Sequence, residues 1–205
     1  MNASQKLVVW VEGLLFVILA LLIESIFPET ITSYNITVAI SLTLLVFYSY
    51  RRGSTAGFIA GAVLGAVVGY LQVENVQTEW MVLVASAIQT AMVGLSGKFA
   101  RNLQRTLFNR RMSSVYLNLI TGTIMTFAAF FILKFIFNQY VLNVGQVADG
   151  TYAMSMLWSF LANLALALII LVIILNVSSK FWIPKNTPYI SRKERSRLLL
   201  SLIHI

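Results

Sequence analysis

Long apolar runs broken by short polar stretches set the rhythm of this chain. Six stretches read as membrane-crossing helices: Leu7 to Phe27, Ile36 to Tyr50, Ala56 to Leu71, Met81 to Gly97, Val115 to Leu142 and Tyr152 to Val177. Runs of roughly 18 to 25 residues recur, the length needed to cross a hydrocarbon core of ~30 Å. The second and third are the least certain in extent. The first follows Met1 to Lys6 directly, is too long for a signal-peptide core and has no small-x-small cleavage site, so it is expected to stay in place as a helix. The predicted fold is all-α: a polytopic membrane protein built as a six-helix transmembrane bundle.

Composition strengthens this picture. Of 205 residues, 59% are hydrophobic and only 11% charged, against about a quarter charged in a soluble domain, which excludes a soluble globular enzyme. The absence of cysteine closes disulfide, thiolate-zinc, iron–sulfur and cysteine-nucleophile chemistry. The net charge of +8 would suggest nucleic acid on a soluble domain, but here its distribution reads as topology. Arg51 and Arg52 follow the second run, and Lys98, Arg101, Arg105, Arg110 and Arg111 follow the fourth. Lys180, Lys185, Arg192, Lys193, Arg195 and Arg197 follow the sixth, whereas the alternate connections carry Glu29, Glu74, Glu79 and Asp149 and no Lys or Arg. The positive-inside rule then places both termini on the cytoplasmic side. The basic 98–111 connection is expected to be an orientation signal, with RNA, anionic lipid or a protein partner as alternatives.

One transmembrane domain is expected over residues 1–180, followed by a basic cytoplasmic tail over 181–199. In that tail Trp182 and Tyr189 look like an interfacial anchor, and Pro184 and Pro188 oppose a further helix. Leu200 to Ile205, LSLIHI, matches the translation of a transposon mosaic-end sequencing adapter, so the single histidine, His204, is expected to be foreign.

Within the spans, small and polar residues carry the information. Gly57, Gly61, Gly65 and Gly69 recur at every fourth position, with Ala56, Ala60, Ala62 and Ala66 beside them, a face suited to close helix packing in lipid. Ala85, Ala87, Ala91, Gly94 and Gly97 give the fourth run a similar face. Lys134 is a cation deep in the fifth run. It must snorkel, pair with an acid such as Glu24 or Glu79, or line a polar cavity. Asn138 shares its face one turn on. Ser86 and Gln89 on the fourth run, and Trp158 and Asn163 on the sixth, lie at comparable depth. Each taken alone fits a helix-to-helix hydrogen bond, and together they favour a pocket open to the outside. No intramembrane histidine, paired-carboxylate motif, HExxH, GxSxG or Walker loop occurs, so no enzyme or ATPase is predicted.

The sequence resembles the substrate-binding S components of energy-coupling-factor vitamin transporters, most closely the thiamine-specific branch. The resemblance spans nearly the whole chain. It is carried by Tyr50-Arg51-Arg52-Gly53-x-x-Ala56-Gly57, Val11-Glu12-Gly13, Gly94-Leu95-Ser96-Gly97, Gly122-Thr123, and Trp158-Ser159 with Asn163. It implies a subunit without catalysis or cofactor that captures a vitamin at its outer face. Delivery would run through a membrane coupling subunit and two cytoplasmic ATPases. A membrane-embedded binding or sensory module without transport is the alternative, and a membrane enzyme the third reading.

The resemblance also implies residues. The family's small-residue docking surface on the first helix falls at Gly13 to Ala20, where intervening residues are bulkier. Its fourth-helix Glu-Tyr pair falls at Ala85 and Ser86, its fifth-helix histidine at or near Lys134, and its sixth-helix Tyr and Asn at Trp158 and Asn163. Tyr34 stands near an aromatic of the first outer loop. A pocket that lacks the carboxylate and gains Lys134 is expected to prefer a neutral or anionic aromatic micronutrient, stacked on Trp158 or Tyr34, bonded to Asn163, and flanked by Ser86, Gln89 and Asn138. Thiamine is the alternative as the family's own ligand.

Overall fold

The computed structural model describes residues 3–27, 36–71, 79–141, 151–184 and 187–190. Among these, α1 spans Ala3–Ile26, α2 Ile40–Arg52, α3 Ser54–Leu71 and α4 Glu79–Ala91. A 3-10 segment, Met92–Phe99, joins α4 to α5 (Ala100–Phe108). Then come α6 (Met112–Ile136), a π turn over Phe137–Val141, α7 (Thr151–Val177) and a short 3-10 turn, Ser179–Trp182. Since α4, the 3-10 segment and α5 run on as one rod, the described residues form six long helical bodies. Five stretches are long and apolar enough to cross a membrane: Gln5–Ile26, Ser54–Leu71, Trp80–Phe108, Met112–Tyr140 and Tyr152–Val177. The chain is a multi-pass membrane protein.

Three boundaries differ from the sequence reading, each for a physical reason. The second helix starts at Ile40, not Ile36, because residues 36–39 are held extended by side chains of α7. Its 13 residues rise only about 20 Å, yet Ser41 to Tyr50 are almost wholly buried, which makes α2 the enclosed centre of the bundle. The basic 98–111 connection is mostly helix. Ala100, Leu103, Gln104 and Leu107 face inward while Arg101 and Arg105 face out, so helical periodicity outweighs charge there. The tail does not leave the bundle at 181. Trp182 is 0% exposed and meets Phe47 edge-to-face at 4.9 Å, which is core packing and not an interfacial anchor. Thr187 Oγ1 donates to Gln104 Oε1 at 2.6 Å, and Gln104 Nε2 donates to the carbonyls of Tyr50 (3.0 Å) and Arg51 (2.9 Å). Residues 191–205, including His204, lie outside the described residues.

Many of the residues that carry the resemblance converge on this basic end. Glu12 of α1 receives Arg51 and Arg52, with Arg52 Nε at 2.6 Å. Gly13, next to Glu12, admits the Tyr48 ring, whose hydroxyl donates to the Val9 carbonyl at 2.8 Å. Gly53 breaks α2 from α3 with φ +99°, a conformation open to glycine, and its N–H caps the Ser49 carbonyl at 2.8 Å. Tyr50 Oη donates to the Leu119 carbonyl at 2.7 Å, in the space left by Gly122, and lies 3.1 Å from Thr123 Oγ1. The sequence signature therefore encodes a structural lock between α1, α2 and α6.

The glycine stripe of α3 faces α4. Gly57, Gly61, Gly65 and Gly69 are all buried. A methyl group on Gly61 or Gly65 would collide with the backbone carbonyl of Thr90 or Ser86, and one on Gly57 would sit 2.9 Å from the Gly94 Cα. This is the small-residue packing that lipid-embedded helices require. On α1, Gly13 is buried against Tyr48 and Ala20 is 0% exposed, so both serve packing inside the bundle. The exposed face of α1 is instead made by Leu7, Leu14, Leu15, Ile18, Leu19 and Leu22.

Candidate functional site

A small cavity opens where five helices meet at the end opposite the basic lock. Its wall comprises Glu24 in the last turn of α1, Ala39 and the start of α2 (Ser41, Leu42), Leu64 and Val68 of α3, Thr90 of α4 and Phe130 of α6. Its volume is about 40 Å³. Glu24 is half-buried, and its Oε2 accepts the Ser41 hydroxyl at 2.5 Å. A charge-assisted bond of that length fixes one carboxylate oxygen on the cavity side of α2. Lys134 sits one turn beyond Phe130 on α6, with Nζ 5.9 Å from the Phe130 ring centroid. A cation therefore stands beside the wall through an aromatic ring.

Asn163 of α7 builds the wall from behind. Its Oδ1 accepts the Ala39 N–H at 2.8 Å, and its Nδ2 donates to the carbonyls of Thr37 and Ser159, both at 2.7 Å. Ser159 Oγ accepts the Thr37 N–H at 3.0 Å. Together the two side chains satisfy the backbone of an extended segment that has no helical partners of its own, and so they aim α2 and Ser41 at Glu24. With both N–H donors engaged, Asn163 holds the chain that forms the site.

The other expected site residues that the structure describes do not form this wall. Gln89 is buried beside Thr90 on α4, while Ser86 packs against Gly65 and Gly69. Asn138 Nδ2 donates to the Tyr152 hydroxyl at 2.9 Å, and the Tyr152 ring stacks on Phe135 at 5.7 Å, closing α6 against α7. Trp158 is 54% exposed on α7. Tyr34 and the side chain of Glu79 lie outside the described residues. Glu24, on the wall of this cavity, was placed by sequence reasoning only as an ion-pair partner, although its rarity in an apolar run was the same signal that singled out Lys134. Ser41 and Thr90 gave no such signal. No cluster of three or more His, Cys, Asp or Glu suited to a metal occurs among the described residues.

Comparison with known proteins fits this architecture. The family model described as thiamine transporter protein (Thia_YuaJ) matches residues 10–187. The chain belongs to the thiamine transporter protein family. The solved structure of ThiT from Listeria monocytogenes superposes with a TM-score of 0.74 at 17% sequence identity, covering 88% of this chain and 100% of that one. At that identity the likeness establishes the membrane S-component fold. No protein of curated function matches the chain by sequence. The matched region runs through Trp182 and Thr187, so the packed tail lies within the family's common core.

Proposed function

We propose that this protein is the substrate-capture subunit of an energy-coupling-factor vitamin importer, binding thiamine at its outer face. Membership of the thiamine transporter protein family carries the reading, and the carboxylate-bearing cavity at the end opposite the arginines supports it. The arginine-rich end faces the cytoplasm under the positive-inside rule, with both termini there, which turns the Glu24 cavity outward. Import is driven by a separate coupling subunit and two ATPases, supplied by the membrane of a bacterial cell. Asn163 acts as a positioning residue through residues 37–39, and Lys134 stands against the Phe130 ring. Ser86, Gln89, Asn138, Tyr34 and Trp158 complete the surroundings of the bound vitamin.

The preference for a neutral or anionic ligand rested on a pocket with a lysine and no carboxylate. With Glu24 on the cavity wall and the family match to thiamine transporters, the cation is the reading preferred here. The acid-binding reading keeps one supporting observation, the ammonium of Lys134 beside Phe130. Lys134→Met separates the two. Thiamine binding equal to or tighter than wild type is the expected result, read by calorimetry of the purified protein. Tight binding of an anionic aromatic ligand that this substitution abolishes would favour the second reading. Delivery is tested by co-expression: the protein should co-purify with a coupling subunit and ATPases and support ATP-dependent thiamine uptake. A chain that binds thiamine but never associates with them is a binding or sensory module.

A further inference from the structure

We propose that the outward face of α5 and the turn after it bind the phosphates of anionic phospholipids, where the α4–α5 rod leaves the bilayer core. Lys98, Arg101 and Arg105 recur three and four residues apart, which sets them in one row along the rod. All three are exposed, while Ala100, Leu103, Gln104 and Leu107 are buried. The row cannot roll inward, because Gln104 is held by the Tyr50 and Arg51 carbonyls on one side and by Thr187 on the other. Among the described residues, no ion pair reaches Lys98, Arg101, Arg105, Arg110 or Arg111. The described acids stand elsewhere: Glu12 is taken by Arg51 and Arg52, Glu24 lies at the opposite end of the bundle, and Glu79 opens the far end of the same rod.

The length of the rod sets the depth of that row. Trp80–Phe108 covers 29 residues, a rise of about 45 Å with the tighter 3-10 stretch included, which matches a whole bilayer with its headgroups and exceeds the hydrocarbon core of ~30 Å. Trp80 is 62% exposed, as suits an indole at the membrane interface. About 30 Å along the axis from Trp80 lies Lys98, so Arg101 and Arg105 stand at headgroup depth. There their planar guanidiniums match a phosphate in geometry as well as charge. The turn adds cations at a cost. Arg110 N–H donates to the Leu107 carbonyl at 3.1 Å and Arg111 N–H to the Thr106 carbonyl at 2.9 Å, a closure that favours glycine at its left-handed position. Arg110 occupies that position, with φ +55°. Glycine would close the turn more easily; arginine keeps a further cation beside the row. A zwitterionic headgroup brings its own ammonium, so a cationic face with no acid favours lipids of net negative charge.

The test uses the full chain, purified in detergent and titrated with phosphatidylglycerol or with phosphatidylcholine of the same acyl chains, read by native mass spectrometry. Wild type should bind the anionic lipid at least about tenfold more tightly at low salt, and the preference should shrink as ionic strength rises. The triple variant Lys98→Gln, Arg101→Gln, Arg105→Gln should bind the two lipids within about twofold of each other. Its melting in lipid-free detergent should match wild type, because the three side chains are exposed. Replacing both arginines by lysine should keep most of the preference, since the charges remain. If the triple variant does not fold, Arg105→Gln alone decides, with about a threefold drop in preference expected. A wild type without preference, a triple variant that keeps it, or an unchanged Arg105→Gln would overturn the proposal. A triple variant that binds anionic lipid as wild type does but no longer co-purifies with the coupling subunit would overturn it too, and mark the face as a protein-docking surface. Neither lipid is a ligand of the Glu24 cavity, so the result is independent of thiamine capture.

Discussion

Gly61→Leu should leave no folded protein. The Gly61 position faces the backbone of α4 at Thr90 and Ala91 with Val93 alongside, and even a single carbon added there collides with the Thr90 carbonyl. Backbone cannot swing aside as a side-chain tip can, so α3 and α4 must separate, losing the contact that links them over four turns. Overpacking a close interior typically costs about 1–3 kcal/mol, and a leucine driven between two helices exceeds that range. Val67→Leu, on the exposed side of the same helix, should change stability by less than about 0.5 kcal/mol. Size-exclusion profiles of the two variants in detergent make the comparison. A monodisperse Gly61→Leu peak with native melting would show that the α3–α4 contact is looser than described.

The second large effect is expected at Glu12. Its carboxylate receives both Arg51 and Arg52, and the three side chains are only 17%, 19% and 8% exposed. Glu12→Ala leaves two enclosed guanidiniums without their counter-charge, a change that costs about 3 kcal/mol when a pair of this burial is broken from one side. Because Arg51 also donates to the Phe181 carbonyl, the packed tail should loosen in the same variant. Thermal unfolding followed by tryptophan fluorescence reads both, since Trp182 lies beneath Phe47 and Tyr50. Adding Arg52→Gln to Glu12→Ala should recover part of the loss, as one of the stranded charges is then removed. A Glu12→Ala melt within experimental error of wild type would remove the lock from the account.

Much of this fold is legible in the sequence because a bilayer imposes a simple rule: apolar length sets where helices cross. The α3 stripe was legible for the same reason, since only close packing explains glycine at Gly57, Gly61, Gly65 and Gly69. What hydropathy cannot supply is rotation about the helix axis. The runs of α6 and α7 are apolar all round, so they carry no stripe that says which side meets the bundle. Trp158 and Asn163 lie at similar depth on α7, yet one is exposed and the other is buried and fully bonded. Ser41 and Thr90 were hidden differently. Ser and Thr in helices commonly bond their own preceding carbonyls, as Thr123 and Thr126 do here, so their presence announces nothing. Glu24 was visible as an acid in an apolar run. The sequence offered it, with Glu79, as a partner for Lys134, while the Ser41 hydroxyl that opens the next helix needed the turn of the chain between them.

The central claim is that the purified chain alone captures thiamine. Titration of the full chain in detergent with thiamine, by calorimetry, tests it most directly. The account predicts saturable binding of one thiamine per chain. An absence of thiamine binding under conditions where the protein is folded and monodisperse would contradict it.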